Sequence, residues 1–386
     1  MIARPNRRES ATGWWVALAC RPAAAVVVTL LLTACASDKP KPAALQDLTP
    51  RIAGRQAWQL QVEPVSFDMV PVVRDGKVVV AGDSGVVTAV DVLSGRPAWE
   101  VRLGTRLSAG VGSDGRYSAV VTRDNELVAL EGGRVAWRTR LPARTVTPPL
   151  VAGERIFVMS VNRVVHAFDA AGGQRLWTFD RPGDSLTLGQ PGVLSAFKDT
   201  LLVGQGPRLT GLDPLRGTVR WEVPLATPRG TNEVERLADL VGPATRVGNL
   251  VCARAFQASV ACADADRGTL AWTRNTGGWQ PPGGDDQVVV GADASDRLTA
   301  WKLLSGELVW TSELLLNRRL AGVAVAGRVA VAGDSEGFVH FLDKLTGEPL
   351  LRLPTDGSAV AAVPALAGTT LVVVTRKGGV YAFRPE

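Results

Sequence analysis

One stretch recurs along this chain and constrains everything else: AVDVLSGRPAWEVRL, residues 89–103. Its grammar is an Asp, three residues, a Gly, and a Trp four residues after the Gly. The grammar returns at Asp169/Gly173/Trp177, Asp213/Gly217/Trp221 and Asp264/Gly268/Trp272. Gly133/Trp137 keeps it with Glu131 displaced, and Gly306/Trp310 keeps it with Lys302 in the Asp place. Gly347 follows Asp343, with Leu351 where the Trp would stand, and Gly54/Trp58 has only the second half of the unit. Successive marker positions are 41, 38, 40, 44, 51, 38 and 41 residues apart, the period of a repeat fold.

Each unit contains four short apolar runs separated by Gly, Asp and Ser turns. In the first they are Met69 to Val73, Lys77 to Ala81, Val86 to Val90 and Pro97 to Leu103. Runs this short and rich in Val are strands, and turns this tight make neighbours antiparallel. The inner runs are apolar almost throughout, which suits sheets covered on both faces. Leading strands are expected near Val70, Ala109, Thr147, Gln190, Val241, Pro281, Ala321 and Ala362, and eight outer strands are marked by the seven Trp and Leu351. The first unit lacks its inner strands and the last lacks its outer one. Gly54 to Val62 can therefore complete the blade begun at Ala362 and leave no open edge. The expectation is all-β: an eight-bladed propeller of four-stranded antiparallel blades over residues 51–386. The repeated Trp then fills the wedge between blades, and the repeated Gly takes a turn position with positive φ.

The chain begins with a targeting pattern. Arg4, Arg7, Arg8 and Arg21 precede an apolar run at 23–32 and the quartet Leu32-Thr33-Ala34-Cys35. Ten apolar residues are too few to span a bilayer, whereas a charged leader, a short apolar run and small residues describe a secretory signal. The quartet is a lipobox pattern, so residues 1–34 are read as a signal peptide and Cys35 as the lipidated residue, with Cys20 a weaker rival. Ala36 rather than Asp after the Cys favours sorting to the outer membrane, on its periplasmic face. The Pro-rich stretch 35–50 reads as a flexible tether. The leader carries +3 of the formal charge of +6, and the remaining +3 is too weak to argue for nucleic acid.

Function should lie where the repeat is interrupted. The longest spacing holds an insertion at 226–239 (ATPRGTNEVERLAD), with Val234, Leu237 and Leu240 at helical spacing. It is either an ordered binding loop or a solvated charged one. In 184–192 (DSLTLGQPG), Leu186 and Leu188 alternate with polar residues; exposed they would meet a partner, buried they would start a strand. Cys252 and Cys262 map onto facing positions of one hairpin, and an exported protein sits in an oxidising compartment, so a cross-strand disulfide is expected.

Catalytic signatures do not emerge. His166 and His340 lie in different blades with no acidic or Cys partner at ligand spacing. Neither a nucleophile elbow nor a phosphate-binding loop is present. The repeated Asp residues belong to turn chemistry. No catalytic, cofactor or metal residue is assigned.

The repeat resembles the tryptophan-docking repeat of quinoprotein dehydrogenases. That likeness implies a periplasmic oxidoreductase using pyrroloquinoline quinone (PQQ), or a ligand-binding propeller, as the alternative reading. Those enzymes are longer and carry adjacent cysteines over the cofactor; here the cysteines are ten apart. The lipobox, the tether and a compact propeller of this repeat together resemble the BamB family, lipoprotein subunits of the outer-membrane β-barrel assembly (BAM) machinery. TNEVERLADL at 231–240 and DSLTLG at 184–189 are similar to that family's segments in the same two blade connections. The resemblance implies a scaffold whose neighbouring loops dock on the periplasmic POTRA domains of BamA, beside other BAM subunits, with unfolded outer-membrane proteins as further possible partners. Carried across, Leu186, Leu188, Arg236 and Asp239 are the docking residues. Gly189 and Val241 stand where the family has an Arg and a second Asp.

Overall fold

The turn chemistry that the repeat announces is what shapes each blade. In the computed structural model, which describes residues 40–181, 186–228 and 230–385, Asp91 Oδ1 accepts the Ser94 N–H at 2.7 Å. Asp213, Asp264 and Asp343 accept backbone N–H groups in the same way. These bonds hold the hairpin between third and fourth strands, and the following Gly closes it at positive φ, 71° at Gly95 and 64° at Gly306. The leader, Cys35, and Asp184 and Ser185 of the DSLTLG segment lie outside the described residues.

Eight four-stranded antiparallel sheets result. Blade one is Val72–Arg74, Lys77–Ala81, Val86–Asp91 and Pro97–Arg102. Blades two to seven follow the same order, and blade eight is Ala365–Ala367, Thr370–Val374 and Gly379–Arg384 completed by Arg55–Gln61 from the start of the chain. Eight apolar clusters occupy the eight blade-to-blade interfaces. One of them packs Val372, Val374 and Val380 of blade eight on Val78, Val80 and Val90 of blade one, so the array is a closed ring.

The leading strands begin two to four residues later than expected in seven blades, because the chain reaches the crowded centre there. Two are only Gly112–Ser113 and Gly283–Gly284. A Cβ on Gly112 would meet the Pro149 carbonyl oxygen at 1.8 Å, and one on Gly283 would meet that of Val323 at 2.3 Å. Neighbouring inner strands approach too closely for side chains at these points.

The tryptophans join blades through one repeated joint. In every blade the register between third and fourth strands shifts beside the marker position, as between Ala89 and Val90 opposite Trp99. Such a bulge re-aims a side chain, and here it turns each Trp onto the turn Gly of the following blade. A Cβ on Gly95 would sit 2.6 Å from the Trp58 ring; Gly133 meets Trp99, Gly173 meets Trp137, and the series continues to Gly347 on Trp310. Several indoles also donate to a carbonyl of the next blade, Trp58 to Val92 at 2.8 Å and Trp310 to Lys344 at 2.8 Å.

The break in the pattern follows the same geometry. Leu351 reaches Gly54 across the closing joint, with a Cβ there 2.8 Å from it. Where Trp is present the residue opposite is small: Ala89, Ala129, Ala167, Gly211, Cys262, Ala300 or Ala382. Opposite Leu351 stands Phe341, so volume is exchanged between the strands. Leu351→Trp alone should overfill the joint and cost about 2 kcal/mol. The double variant with Phe341→Ala should recover most of that loss, a coupling readable as a double-mutant cycle in urea unfolding.

Cys252 and Cys262 are paired in register on the middle strands of blade five, with Cα atoms 4.0 Å apart, and form a disulfide. Both are fully buried in the interface with blade six. Under non-reducing denaturation neither should take up an alkylating reagent, and reduction should lower stability by about 2–3 kcal/mol.

The first strand of the ring is preceded by an ordered stretch within the segment read as tether. The Ala43 N–H donates to Leu316 O at 2.8 Å, the Arg51 N–H to Leu350 O at 2.8 Å, and Leu45 packs on the cluster between blades six and seven.

Candidate functional site

Alternating strand direction puts the hairpins between second and third strands on the same side of the ring as the links between blades. Both interruptions of the repeat are such links, one joining blades three and four, the other blades four and five. The Gly192–Val241 bridge and the Gly242 N–H to Pro191 O bond, 2.9 Å, run them side by side.

Asp239 ties them together. Its Oδ2 accepts the Leu188 N–H at 2.9 Å, and its Oδ1 accepts from Arg163 Nη2 at 2.6 Å. Arg163 also donates to the Leu186 carbonyl at 3.0 Å, while its own carbonyl accepts from Gln205 Nε2 at 2.7 Å. The Arg163 and Asp239 side chains retain only 17% and 14% exposure, so solvent screens the pair little and removing either partner would leave a largely buried charge. Leu186 and Leu188 are half-buried beside this pair and belong to no strand, since the next strand starts at Leu194. Leu188 also lines a cavity of about 40 Å³ with Val146, Thr147, Met159 and Pro191. That space suits a water molecule and is far below the roughly 300 Å³ of a small-molecule site.

The insertion is an ordered loop rather than a helix. Glu235 accepts the Thr231 N–H at 2.7 Å, and the Asn232 side chain accepts the Glu235 N–H at 2.9 Å. The Thr231 N–H, followed by the Thr231 hydroxyl and Asn232, holds the Glu235 carboxyl below its ordinary pKa. The turn ends at once because Leu240 is already in the first strand of blade five, Leu240–Val247. Of the helically spaced residues, Leu240 is buried while Val234 is 72% exposed. Arg236 is exposed on the loop. The four residues singled out from sequence therefore divide. Leu186, Leu188 and Asp239 meet; Arg236 stands out from them into solvent; and Asp239 is engaged within the protein rather than offered as a bare charge.

Arg163 is the residue that sequence reasoning missed. It occupies the left-handed position of its hairpin, φ 66°, where blades one, seven and eight have Gly85, Gly337 and Gly378 and blade two has Asn125. A bulky residue in that conformation is uncommon, and aligning the repeats at this turn would have exposed it. Asp239→Ala should strip Leu188 of its acceptor and Arg163 of a carboxylate. The expected result is faster amide hydrogen exchange confined to residues 186–192 and 236–241, with strand amides unchanged.

The two histidines are engaged within their own blades. His340 has an acidic neighbour that spacing did not suggest: its Nε2 lies 2.9 Å from Asp334 Oδ2. Burial pushes the Asp334 carboxyl up, but bonds from His340, the Phe338 N–H and Arg318 outweigh it and hold the pKa below the usual value. His166 is pushed down by burial and by Arg175, and its Nδ1 is 3.1 Å from Thr178 Oγ1. Among the described residues no group of three His, Cys, Asp or Glu is arranged to hold a metal. Nor do Cys252 and Cys262 fit the quinone arrangement, being ten residues apart and fully buried inside a blade interface.

Known proteins resemble this chain over most of its length. The family model described as "Outer membrane protein assembly factor BamB" matches residues 43–104, 83–312 and 303–386. A protein of that name from Burkholderia pseudomallei is 35% identical over 95% of this chain and 98% of its own length. Another from Bordetella pertussis is 34% identical over 93% and 96%. Among solved structures, BamB from Moraxella catarrhalis superposes with a TM-score of 0.77 at 21% identity, covering 86% of this chain and 99% of that one. The quinohemoprotein alcohol dehydrogenase from Comamonas testosteroni gives 0.67 at 16% identity, over 89% and 78%, a likeness of fold alone.

Proposed function

Because the chain belongs to the BamB family of outer membrane protein assembly factors, we propose that it is a non-catalytic scaffold of the BAM complex, docking on the periplasmic POTRA domains of BamA. The lipid on Cys35 holds it at the periplasmic face of the outer membrane and raises its effective concentration beside that partner. The observation that carries the reading is the convergence of both repeat interruptions on Asp239, which presents Leu186 and Leu188 from a braced surface. Half-buried leucines on a supported loop are suited to act as anchors, with Arg236 as a charged rim. A preformed surface spares the ordering cost that a loose loop would incur on binding. Small folded partners are thereby held in one orientation, which is what a scaffold contributes to assembly of outer-membrane proteins.

Affinity purification of the full-length protein from detergent-solubilised membranes tests this. A BamA homologue should co-purify in near-equal amount. Recovery of the protein alone, or reconstitution with PQQ and calcium giving alcohol-dependent dye reduction, would overturn it in favour of an oxidoreductase.

A further inference from the structure

Residues 43–51 run from the link between blades six and seven to the start of the outer strand of blade seven, Pro349–Pro354. At one end the Ala43 N–H bonds Leu316 O, and Ala43 O accepts from Arg318 Nη1 at 2.8 Å. Arg318 is itself buried and braced by Asp334 and Glu336. In the middle Arg352 donates to Gln46 O, and Leu45 is half-buried on the cluster between blades six and seven. At the other end the Arg51 N–H bonds Leu350 O, the Arg51 side chain pairs with Glu348, and Ile52 joins the blade seven–eight cluster. Leu316 and Arg318 belong to the link between blades six and seven, so the chain enters the ring on the side that carries Leu188 and Asp239.

This stretch shortens the tether. Only residues 36–42, seven in number, separate Cys35 from Ala43. Fully extended they reach roughly 25 Å, about half the width of roughly 50 Å expected for a compact body of this length. A lipid on Cys35 would then be tethered from the side of the ring where blades six and seven meet. The outer strand of blade six and its flanking turns expose Leu304, Leu308 and Leu314 at 78%, 59% and 42%. Those side chains suit the interfacial layer of the bilayer holding the anchor.

We propose that residues 43–51 are a clasp that makes the rim of blades six and seven the membrane-facing side of the ring. The inference rests on lipidation of Cys35. The clasp covers the edge of blade seven, removes slack from the tether and turns the Leu304–Leu308–Leu314 rim to the lipid surface.

The test uses the lipidated full chain in vesicles of phosphatidylethanolamine and phosphatidylglycerol with headgroup-quencher lipids. A fluorophore is placed on Leu308→Cys of blade six or on Val135→Cys of blade two, the same repeat position four blades round. The blade-six label should lose several-fold more fluorescence than the blade-two label. Leu45→Asp, which undoes the clasp without entering the ring core, or a Gly-Ser insertion after Lys41, should abolish the difference. Equal quenching at both sites in the parent protein would overturn the clasp while leaving the anchor intact. Failure of the parent to float with the vesicles would overturn the anchor and the clasp together.

Discussion

Trp272→Ala is expected to lower the unfolding free energy by about 4 kcal/mol, the largest effect of any single truncation at the joints between blades. Trp272 is buried at 6% exposure between blades five and six, beside Trp301 at a ring-centroid distance of 6.5 Å. Its indole N–H donates to Leu303 O at 2.7 Å. Truncation removes the apolar area, opens a cavity and leaves that carbonyl without its donor, so three costs coincide. Trp272→Phe keeps most of the area and should lose about 2 kcal/mol. The joint can also be attacked from the other side. Gly306 has φ 64°, and a Cβ there would lie 2.6 Å from the Trp272 ring, so Gly306→Ala should cost about 3 kcal/mol. In the double variant the methyl enters the space the indole has left, and the combined loss should fall short of the sum. Urea unfolding followed by far-ultraviolet circular dichroism reads all of these; additive losses would mean that the indole and the glycine are not one joint.

Leu188→Glu is expected to weaken association with BamA about a hundredfold, equivalent to about 3 kcal/mol. A carboxylate there loses the apolar contact and comes close to Asp239, whose Oδ2 already holds the residue 188 N–H. Leu186→Glu should weaken association to a similar degree without addressing Asp239 directly. Arg236→Glu, on the exposed part of the loop, should act mainly on the association rate and its salt dependence. Leu93→Glu serves as the control, since Leu93 is 73% exposed in a hairpin on the opposite face and should leave binding unchanged. Affinity of the purified proteins for a soluble POTRA fragment, by titration calorimetry, separates these cases. Equal loss from Leu93→Glu would place the contact on the wrong side of the ring.

The architecture was legible because each blade repeats one physical problem: how to aim a large ring at its neighbour. The Asp-to-Gly-to-Trp spacing exposed the turn and the joint at once, and the complementary half-units at the two ends implied ring closure. Less legible were features that depend on two blades together. Leu351 reads as a lapse in the pattern until Phe341 is found opposite it. The innermost strands are short because neighbouring backbones converge, which no single run of residues reveals. Of the candidate site, both loops were visible as breaks in period, but the brace between them was not. Arg163 sits in a different hairpin, 76 residues before Asp239, and its only local sign is a bulky residue at a left-handed turn position. Composition likewise suggested tether up to Pro50, because bonds such as Ala43 to Leu316 link residues hundreds of positions apart.

The central claim is that the surface built from the two repeat interruptions holds the POTRA domains of BamA. Site-specific photocrosslinking in living cells, with a benzophenone amino acid in place of Leu188, tests it most directly. The account predicts an adduct between this chain and the POTRA region of the BamA homologue, absent when the same group replaces Leu93. An adduct from position 93 and none from position 188 would contradict it.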